Sequence, residues 1–157
     1  MIREDLNPQK GKHTLSVIIP CYNEITTLQR CVASVVSIAN ANLALDIIIV
    51  DDYSTDGSLA IAESLAARHT GIRVLRHAKN MGKGAAIRSG ISEASGDFVA
   101  IQDADLEYDP KDLLSLVELP ICRKSRCSHR VTVSFVRRTR GSVPLAVIGQ
   151  QVSYPTI

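Results

Sequence analysis

The chain has 157 residues, of which 45% are hydrophobic and 22% are charged, and its formal net charge is +2. This length and composition predict one globular domain with a buried core and exclude a disordered chain. The small net charge gives no support for a nucleic-acid partner, and the apolar runs are too short to span a membrane.

The first half of the chain predicts alternating strands and helices after a polar leader over residues 1–13. Leu15–Pro20 is a short apolar run that ends at a proline, which is typical of a buried strand. Helical spacing of apolar residues follows over Thr26–Ala39. The β-branched segment Asp46–Val50 predicts a second strand, and the Ala- and Leu-rich segment Ser58–Arg68 predicts a second helix.

The second half repeats the same alternation. Its predicted elements are a strand over Ile72–Leu75, a turn over Asn80–Gly84, a helix over Ala85–Ala94, a strand over Phe98–Gln102 and a helix from Pro110 through Val117. Strands that alternate with helices in this way indicate a Rossmann-like α/β fold with a mostly parallel sheet and helices on both faces.

Ligands of such sheets bind beyond the carboxyl ends of the strands. Three polar segments should therefore meet at that edge, namely Pro20–Glu24, Asp51–Asp56 and Asp103–Glu107. Glycine-rich phosphate loops of the GxGxxG or GxxxxGK[ST] type occur at no strand end. A nucleotide would then need another partner for its phosphates, and a metal ion that bridges the diphosphate is the natural substitute.

The segment after the fourth strand carries acids at alternating positions: Asp103, Asp105 and Glu107. Side chains at i and i+2 of an extended chain project to the same side. Mg²⁺ is commonly held by one or two carboxylates together with substrate phosphates. A metal site and a solvated acidic turn before a helix both fit these residues.

Two other motifs also leave alternatives open. Lys83, in the turn before the third helix, either faces a diphosphate or simply lies exposed. The pair Asp51–Asp52 fits a turn and helix cap or a phospho-acceptor pocket like that of response regulators. The last alternative predicts a lysine after a late strand, and the chain offers no convincing one.

Four segments, in this order and at this spacing, resemble family 2 glycosyltransferases with a GT-A fold, in the branch that loads sugars onto dolichyl or polyprenyl phosphates. They are SVIIPCYNE (16–24), IIIVDDYSTDGS (47–58), NMGKGAAIRSG (80–90) and GDFVAIQDADLEYDP (96–110). The resemblance covers residues 14–118, and it identifies them as the N-terminal, nucleotide-sugar-binding part of such a domain.

The resemblance implies transfer of a hexose from GDP-mannose or UDP-glucose to a polyprenyl or dolichyl phosphate, with inversion and with Mg²⁺ or Mn²⁺ as cofactor. It implies donor contacts for Pro20, Tyr22, Glu24, Val50, Asp52, Asp103, Ala104 and Asp105, and it implies Asp105 and Glu107 as metal ligands. No catalytic base is assigned, because a lipid phosphate is already an anionic nucleophile. A family 2 enzyme of polysaccharide or cell-envelope synthesis and an inactive nucleotide-binding remnant are the alternatives.

The cysteines and the N-terminus bear on the compartment. Cys21, Cys31, Cys122 and Cys127 form no CxxC pair, and no histidine has zinc-ligand spacing around them. Because no signal peptide is evident, we expect reduced thiols and a cytoplasmic chain that meets its lipid acceptor at the inner face of the membrane.

The resemblance ends after Glu118. Between Arg123 and Arg140 the chain has six Arg, one Lys and no acid. The family continues with a Gly-Lys-Ala-Asp-Val-Val run and then Gly-Ser-Arg-Phe, and permitted codons for Arg123–Ser134 encode both when they are translated one nucleotide later. We therefore hypothesise that residues 119–157 are a frameshifted, non-family tail. A basic tail attracted to anionic lipid is the alternative.

DNA sequencing across the codons for Leu113 to Arg140 tests this hypothesis. We expect a single base to be missing or extra relative to a continuous frame that encodes the Gly-Ser-Arg-Phe segment, because that frame restores the family's pattern. A coding sequence in which no neighbouring frame encodes the segment would contradict the frameshift and make the basic tail genuine.

Overall fold

The computed structural model describes residues 13–105, 110, 113 and 133–134. Its strands are β1 (His13–Cys21), β2 (Leu43–Asp51), β3 (Ile72–Arg76), β4 (Phe98–Ile101) and β5 (Val133–Ser134), and its helices are α1 (Leu28–Val36), α2 (Ser58–Arg68) and α3 (Lys83–Glu93). The strands form one parallel sheet in the order β3-β2-β1-β4-β5. The predicted parallel α/β architecture is confirmed.

The two long strands β1 and β2 form the centre of the sheet and are buried over most of their length. Successive side chains of a strand point to opposite faces. Val17 and Ile19 pack in the cluster that includes α1 and α2, whereas Ile18 packs in the cluster that includes α3. The helices therefore cover both faces of the sheet, as predicted, and burial on both faces explains the unbroken apolar runs of these strands.

Several element boundaries differ from the predicted ones. Helix α1 covers Leu28–Val36 rather than Thr26–Ala39, because the chain after it tightens into i→i−3 hydrogen bonds. Strand β2 begins at Leu43, where it pairs with His13, a residue predicted as part of the leader. Helix α3 begins at Lys83, so Lys83 and Gly84, which were predicted as part of the turn, are helical.

The chain after β4 is described only in part. Pro110 and Leu113 are buried, and the Leu113 N–H donates to the Pro110 carbonyl at 3.0 Å. The remainder of the helix predicted over Pro110–Val117 lies outside the described residues, as do most of the leader and of the predicted tail. Within that tail, the two residues of β5 pair in parallel with Val99 and Ala100 of β4.

Cys21 and Cys31 are free and buried in the core. Burial raises the pKa of the Cys21 thiol to about 11 and that of Cys31 to about 12. Both thiols therefore stay protonated at neutral pH and pack as small apolar groups. Cys122 and Cys127 lie outside the described residues. None of the helices in the described part is long and apolar enough to cross a membrane.

Helix α3 approaches β1 closely at Gly90. A Cβ atom at this position would lie 2.4 Å from Cγ2 of Ile18, which is fully buried in the middle of the sheet. Protein interiors are close-packed, so the isoleucine has little room to give way. The contact thus requires glycine at position 90, and it holds α3 and the loop before it against the sheet.

Gly90→Ala is expected to lower the free energy of unfolding by about 1–3 kcal/mol, because overpacking outweighs a gain in helix propensity of roughly 1 kcal/mol. Gly84→Ala is the matched control in the same helix, where the nearest heavy atom to an added Cβ is Nη1 of Arg88 at 3.6 Å. This control should be neutral or stabilising. Urea unfolding of both variants measures the difference, and equal midpoints would contradict the close contact.

Candidate functional site

A cavity of about 310 Å³ opens at the carboxyl edge of the sheet, where β1, β2 and β4 end and α3 begins. Seven of the eight predicted donor-binding residues line it: Pro20, Tyr22, Glu24, Asp52, Asp103, Ala104 and Asp105. Cys21, Asn80, Gly82, Lys83 and Ala86 complete the lining. The topology thus brings the predicted residues to one place, while their role as ligands stays a prediction.

Two predicted site residues stand apart from this lining. Val50 is fully buried in the cluster between the sheet and α3. Its side chain cannot reach a ligand in the cavity, so the predicted contact with a base would have to come from its backbone. Glu107, predicted as a metal ligand, lies outside the described residues.

The loop after β1 is tied to the loop after β2 by hydrogen bonds. The Asn23 N–H donates to Ser54 Oγ at 3.0 Å, and the Thr55 N–H donates back to Asn23 Oδ1 at 2.9 Å. Asn23 has φ 56°, a left-handed conformation that asparagine adopts more easily than most residues. The Glu24 N–H donates to Ser58 Oγ at 2.8 Å. These bonds fix the backbone that presents Glu24 to the cavity.

Asp52 is the centre of a second network, at the buried side of the cavity, and is only 2% exposed. Its Oδ1 accepts from the Met81 N–H at 2.8 Å and lies 2.6 Å from His77 Nδ1. Its Oδ2 accepts from the Gly82 N–H at 2.7 Å. A carboxylate has about four acceptor positions, so these bonds leave one of them, on Oδ2, for a ligand.

The same contacts set the charge of Asp52. Burial by itself raises the pKa of the Asp52 carboxyl, but the hydrogen bonds from Met81, His77 and Gly82 outweigh it, and the net pKa lies below the ordinary value. Asp52 is therefore ionised at neutral pH, although it is almost completely enclosed.

His77 is a residue of this network that the sequence analysis missed. Its Nε2 lies 2.9 Å from Ser89 Oγ on α3, and its backbone N–H donates to the Asp51 carbonyl at 2.9 Å. The histidine thus connects Asp52 with the end of β2 and with α3. Its position directly after β3, at the same edge of the sheet, is the one signal in the sequence that could have found it.

The acidic pair does not resemble an open phospho-acceptor pocket. Asp51 is fully buried, and its Oδ2 accepts from the Ser54 N–H at 3.2 Å. Asp52 is engaged on both oxygens, as described above. Neither carboxylate presents an open oxygen pair to solvent, so the geometry disfavours the response-regulator alternative.

Asp103 and Asp105 line the cavity on the side of β4. Lys83 Nζ lies 2.7 Å from Asp103 Oδ1, across the cavity from α3. The carbonyl of Asp103 accepts from the Gln102 side chain at 3.2 Å, which helps to fix the backbone at this point. Lys83 lines the cavity and its side chain is 60% exposed, so a contact with a diphosphate stays a prediction.

These acids fit a divalent cation that arrives together with phosphates. Among the residues that the structure describes, no three His, Cys, Asp or Glu side chains form a ready-made metal site. Mg²⁺, however, commonly takes only one or two carboxylates and completes its shell with phosphates and water. Asp103 and Asp105 both line the cavity, and the carboxylate of Asp103 already pairs with the positively charged side chain of Lys83.

Comparison with known proteins gives a family match and partial relatives. Residues 16–120 match the model of Glycosyl transferase family 2. The chain is 36% identical over 104 residues to a dolichol-phosphate mannosyltransferase of Pyrococcus furiosus, which covers 66% of this chain and 29% of that protein. It is 35% identical over 108 residues to a dodecaprenyl-phosphate galacturonate synthase of Rhizobium johnstonii, and this match covers 66% of this chain and 31% of that protein. The chain thus spans less than a third of the length of these relatives.

A solved structure with a similar fold is that of the mannosyltransferase PcManGT from Pyrobaculum calidifontis in complex with GDP-Man and Mn²⁺. The TM-score is 0.58 at 25% sequence identity, over 68% of this chain and 31% of that one. The likeness confirms the predicted GT-A fold for the part of the chain that it covers.

Asp52→Asn tests the network. At about pH 7 it should lower the free energy of unfolding by about 1–3 kcal/mol, because an amide has one acceptor oxygen and a buried N–H loses its partner. Since the native pKa of Asp52 is lowered, this contribution is complete above about pH 5 and is lost as the pH falls through the native pKa. The stability gap to the wild type should shrink below about pH 4.

Urea unfolding at several pH values measures this gap. Asp97→Asn is the control, because that carboxylate is exposed and its contact with the Thr14 N–H can also be made by an amide oxygen. A gap between wild type and Asp52→Asn that stays constant down to about pH 3 would show that the charge of Asp52 contributes nothing.

Proposed function

The chain belongs to glycosyl transferase family 2, and on this premise we propose that it is the donor-binding part of an enzyme that transfers a hexose from GDP-mannose or UDP-glucose to a polyprenyl or dolichyl phosphate. The observation that carries the proposal is the cavity at the carboxyl edge of the sheet. It combines a buried acceptor at Asp52, a cation at Lys83 and the carboxylates of Asp103 and Asp105 in one lining.

The Asp52 side of the cavity suits the base of the donor. Asp52 has one acceptor position left, and both guanine and uracil carry an N–H donor on the edge that such a carboxylate can bind. Tyr22 lines the same cavity and is 50% exposed, which leaves a ring face available for a planar base. Asp52 and Tyr22 together therefore select a base that carries an N–H donor on this edge. They do not discriminate between guanine and uracil.

The other side of the cavity suits the diphosphate and the sugar. Asp105, with Glu107, would hold Mg²⁺ or Mn²⁺, and Asp103 and Ala104 would lie next to the donor. When bound, the cation would neutralise the charge that develops on the leaving nucleoside diphosphate. Carboxylates alone would repel a diphosphate, so this side of the site needs positive charge in order to bind the donor.

The reaction that follows is a displacement at the anomeric carbon. An oxygen of the acceptor phosphate attacks from the face opposite the leaving diphosphate, the bond to the nucleotide breaks, and the configuration inverts. Because the nucleophile is already anionic, orientation and charge stabilisation would provide most of the rate enhancement. Both relatives described above are named for a prenyl phosphate, which favours a lipid phosphate over a growing polysaccharide as acceptor.

Isothermal titration of the full chain with GDP-mannose and with UDP-glucose, with and without Mn²⁺, tests the donor site. We expect binding of one of these donors that strengthens when Mn²⁺ is present. Asp105→Asn should weaken the metal-dependent binding about tenfold or more, because it removes a charged ligand. Asp97→Asn, which alters an exposed acid outside the cavity lining, is the matched control and should bind as the wild type does.

The outcomes separate the alternatives. Absence of heat with either donor would contradict the proposal and favour the inactive remnant. Donor binding of the same strength with and without Mn²⁺ would retain the nucleotide-sugar site and contradict its dependence on metal.

A further inference from the structure

We infer that Lys83 is a resident counter-ion that changes partners: it neutralises Asp103 while the donor is absent and transfers to the donor's diphosphate when the donor binds. The inference rests on the proposed function, because it assumes that a diphosphate and a divalent cation enter this cavity. It gives Lys83, for which a diphosphate contact was one of two alternatives, an additional role as the partner of Asp103 while the donor is absent.

The ion pair joins two side chains of very different exposure. Lys83 Nζ lies 2.7 Å from Asp103 Oδ1, and the lysine side chain is 60% exposed whereas that of Asp103 is 21% exposed. Oδ1 of Asp103 is itself buried and accepts no hydrogen bond of regular geometry within the described residues, so it needs a positive charge beside it. The exposed ammonium group of Lys83 can therefore leave this carboxylate when a divalent cation takes its place.

The backbone of Lys83, by contrast, is anchored. Lys83 is the first residue of α3, and the two preceding N–H groups, of Met81 and Gly82, donate to the buried Asp52. Gly82 has φ 84°, a conformation that glycine adopts without strain. The Cα atom of Lys83 therefore has a defined position. The rotatable bonds of the side chain allow Nζ to reach a second partner inside the cavity.

The charge of Lys83 should couple the binding of the donor to the binding of the metal ion. A divalent cation that enters alone meets an Asp103 carboxylate that is already neutralised by Lys83, so it should bind weakly. A diphosphate takes up the charge of Lys83 and so frees Asp103, which favours the cation. Donor and metal should therefore strengthen each other's binding, and Lys83 would be one source of that coupling.

Lys83→Met removes the cation that Asp103 and the diphosphate share. We predict opposite effects on the affinity for Mn²⁺ and on the affinity for GDP. Without nucleotide, the variant should bind Mn²⁺ about fivefold more tightly than the wild type, because the competing charge is gone. Without metal, in EDTA, it should bind GDP about fivefold more weakly, because the diphosphate loses a cation and faces an uncompensated Asp103. Titration calorimetry with GDP, and electron paramagnetic resonance of free Mn²⁺, measure these affinities.

Lys79→Met is the matched control, since it removes the same charge from an exposed lysine earlier in the same loop. It should leave both affinities at the wild-type value. Equal Mn²⁺ affinity of Lys83→Met and wild type, an equal gain in both lysine variants, or no Mn²⁺ binding by any of them would overturn the inference. Loss of donor binding in every variant would instead contradict the proposed function, and the Mn²⁺ comparison would still decide the role of Lys83.

Discussion

The buried carboxylate of Asp52 is the interaction on which the rest of the cavity depends. It lies at the end of the central strand β2 and accepts hydrogen bonds from the loop that leads into α3 and from His77 after β3. A charge that is only 2% exposed requires such compensation, because its desolvation would otherwise be severely unfavourable. The consequence is that the start of α3, and with it Lys83, has a defined place at the edge of the sheet.

The position of this edge follows from the close packing beneath it. The backbone N–H of Asp52 donates to the Cys21 carbonyl and that of Gln102 donates to the Ile18 carbonyl, so the segments after β2 and β4 are both tied to β1. Gly90 lets α3 lie directly on β1. Three strand ends and one helix start are thereby held together beneath the side chains that line the cavity.

The acids at this edge differ in environment and therefore in the kind of ligand that each suits. Asp52 is enclosed and saturated by donors except for one acceptor position, which suits recognition of a fixed N–H group. Asp103 and Asp105 line the other side, where the exposed Lys83 pairs with Asp103. Carboxylates in a polar, accessible setting suit cations that enter and leave with a substrate. The contrast between these environments supports a base at one end of the cavity and a diphosphate with its metal at the other.

The sequence by itself determined the alternation of strands and helices, the edge of the sheet at which polar segments meet, and seven of the eight donor-binding candidates that line the cavity. The alternation and the edge follow from local periodicity and from a topology rule for parallel sheets. The donor-binding candidates follow from the resemblance of four sequence segments to family 2 glycosyltransferases. Only the tertiary structure decided that Val50 is enclosed, that His77 supports Asp52, and that Lys83 pairs with Asp103. The Asp52 contacts with Met81 and Gly82 join residues 29 and 30 positions apart. Local patterns carry no information about such contacts, because their geometry is set by how α3 packs on the sheet.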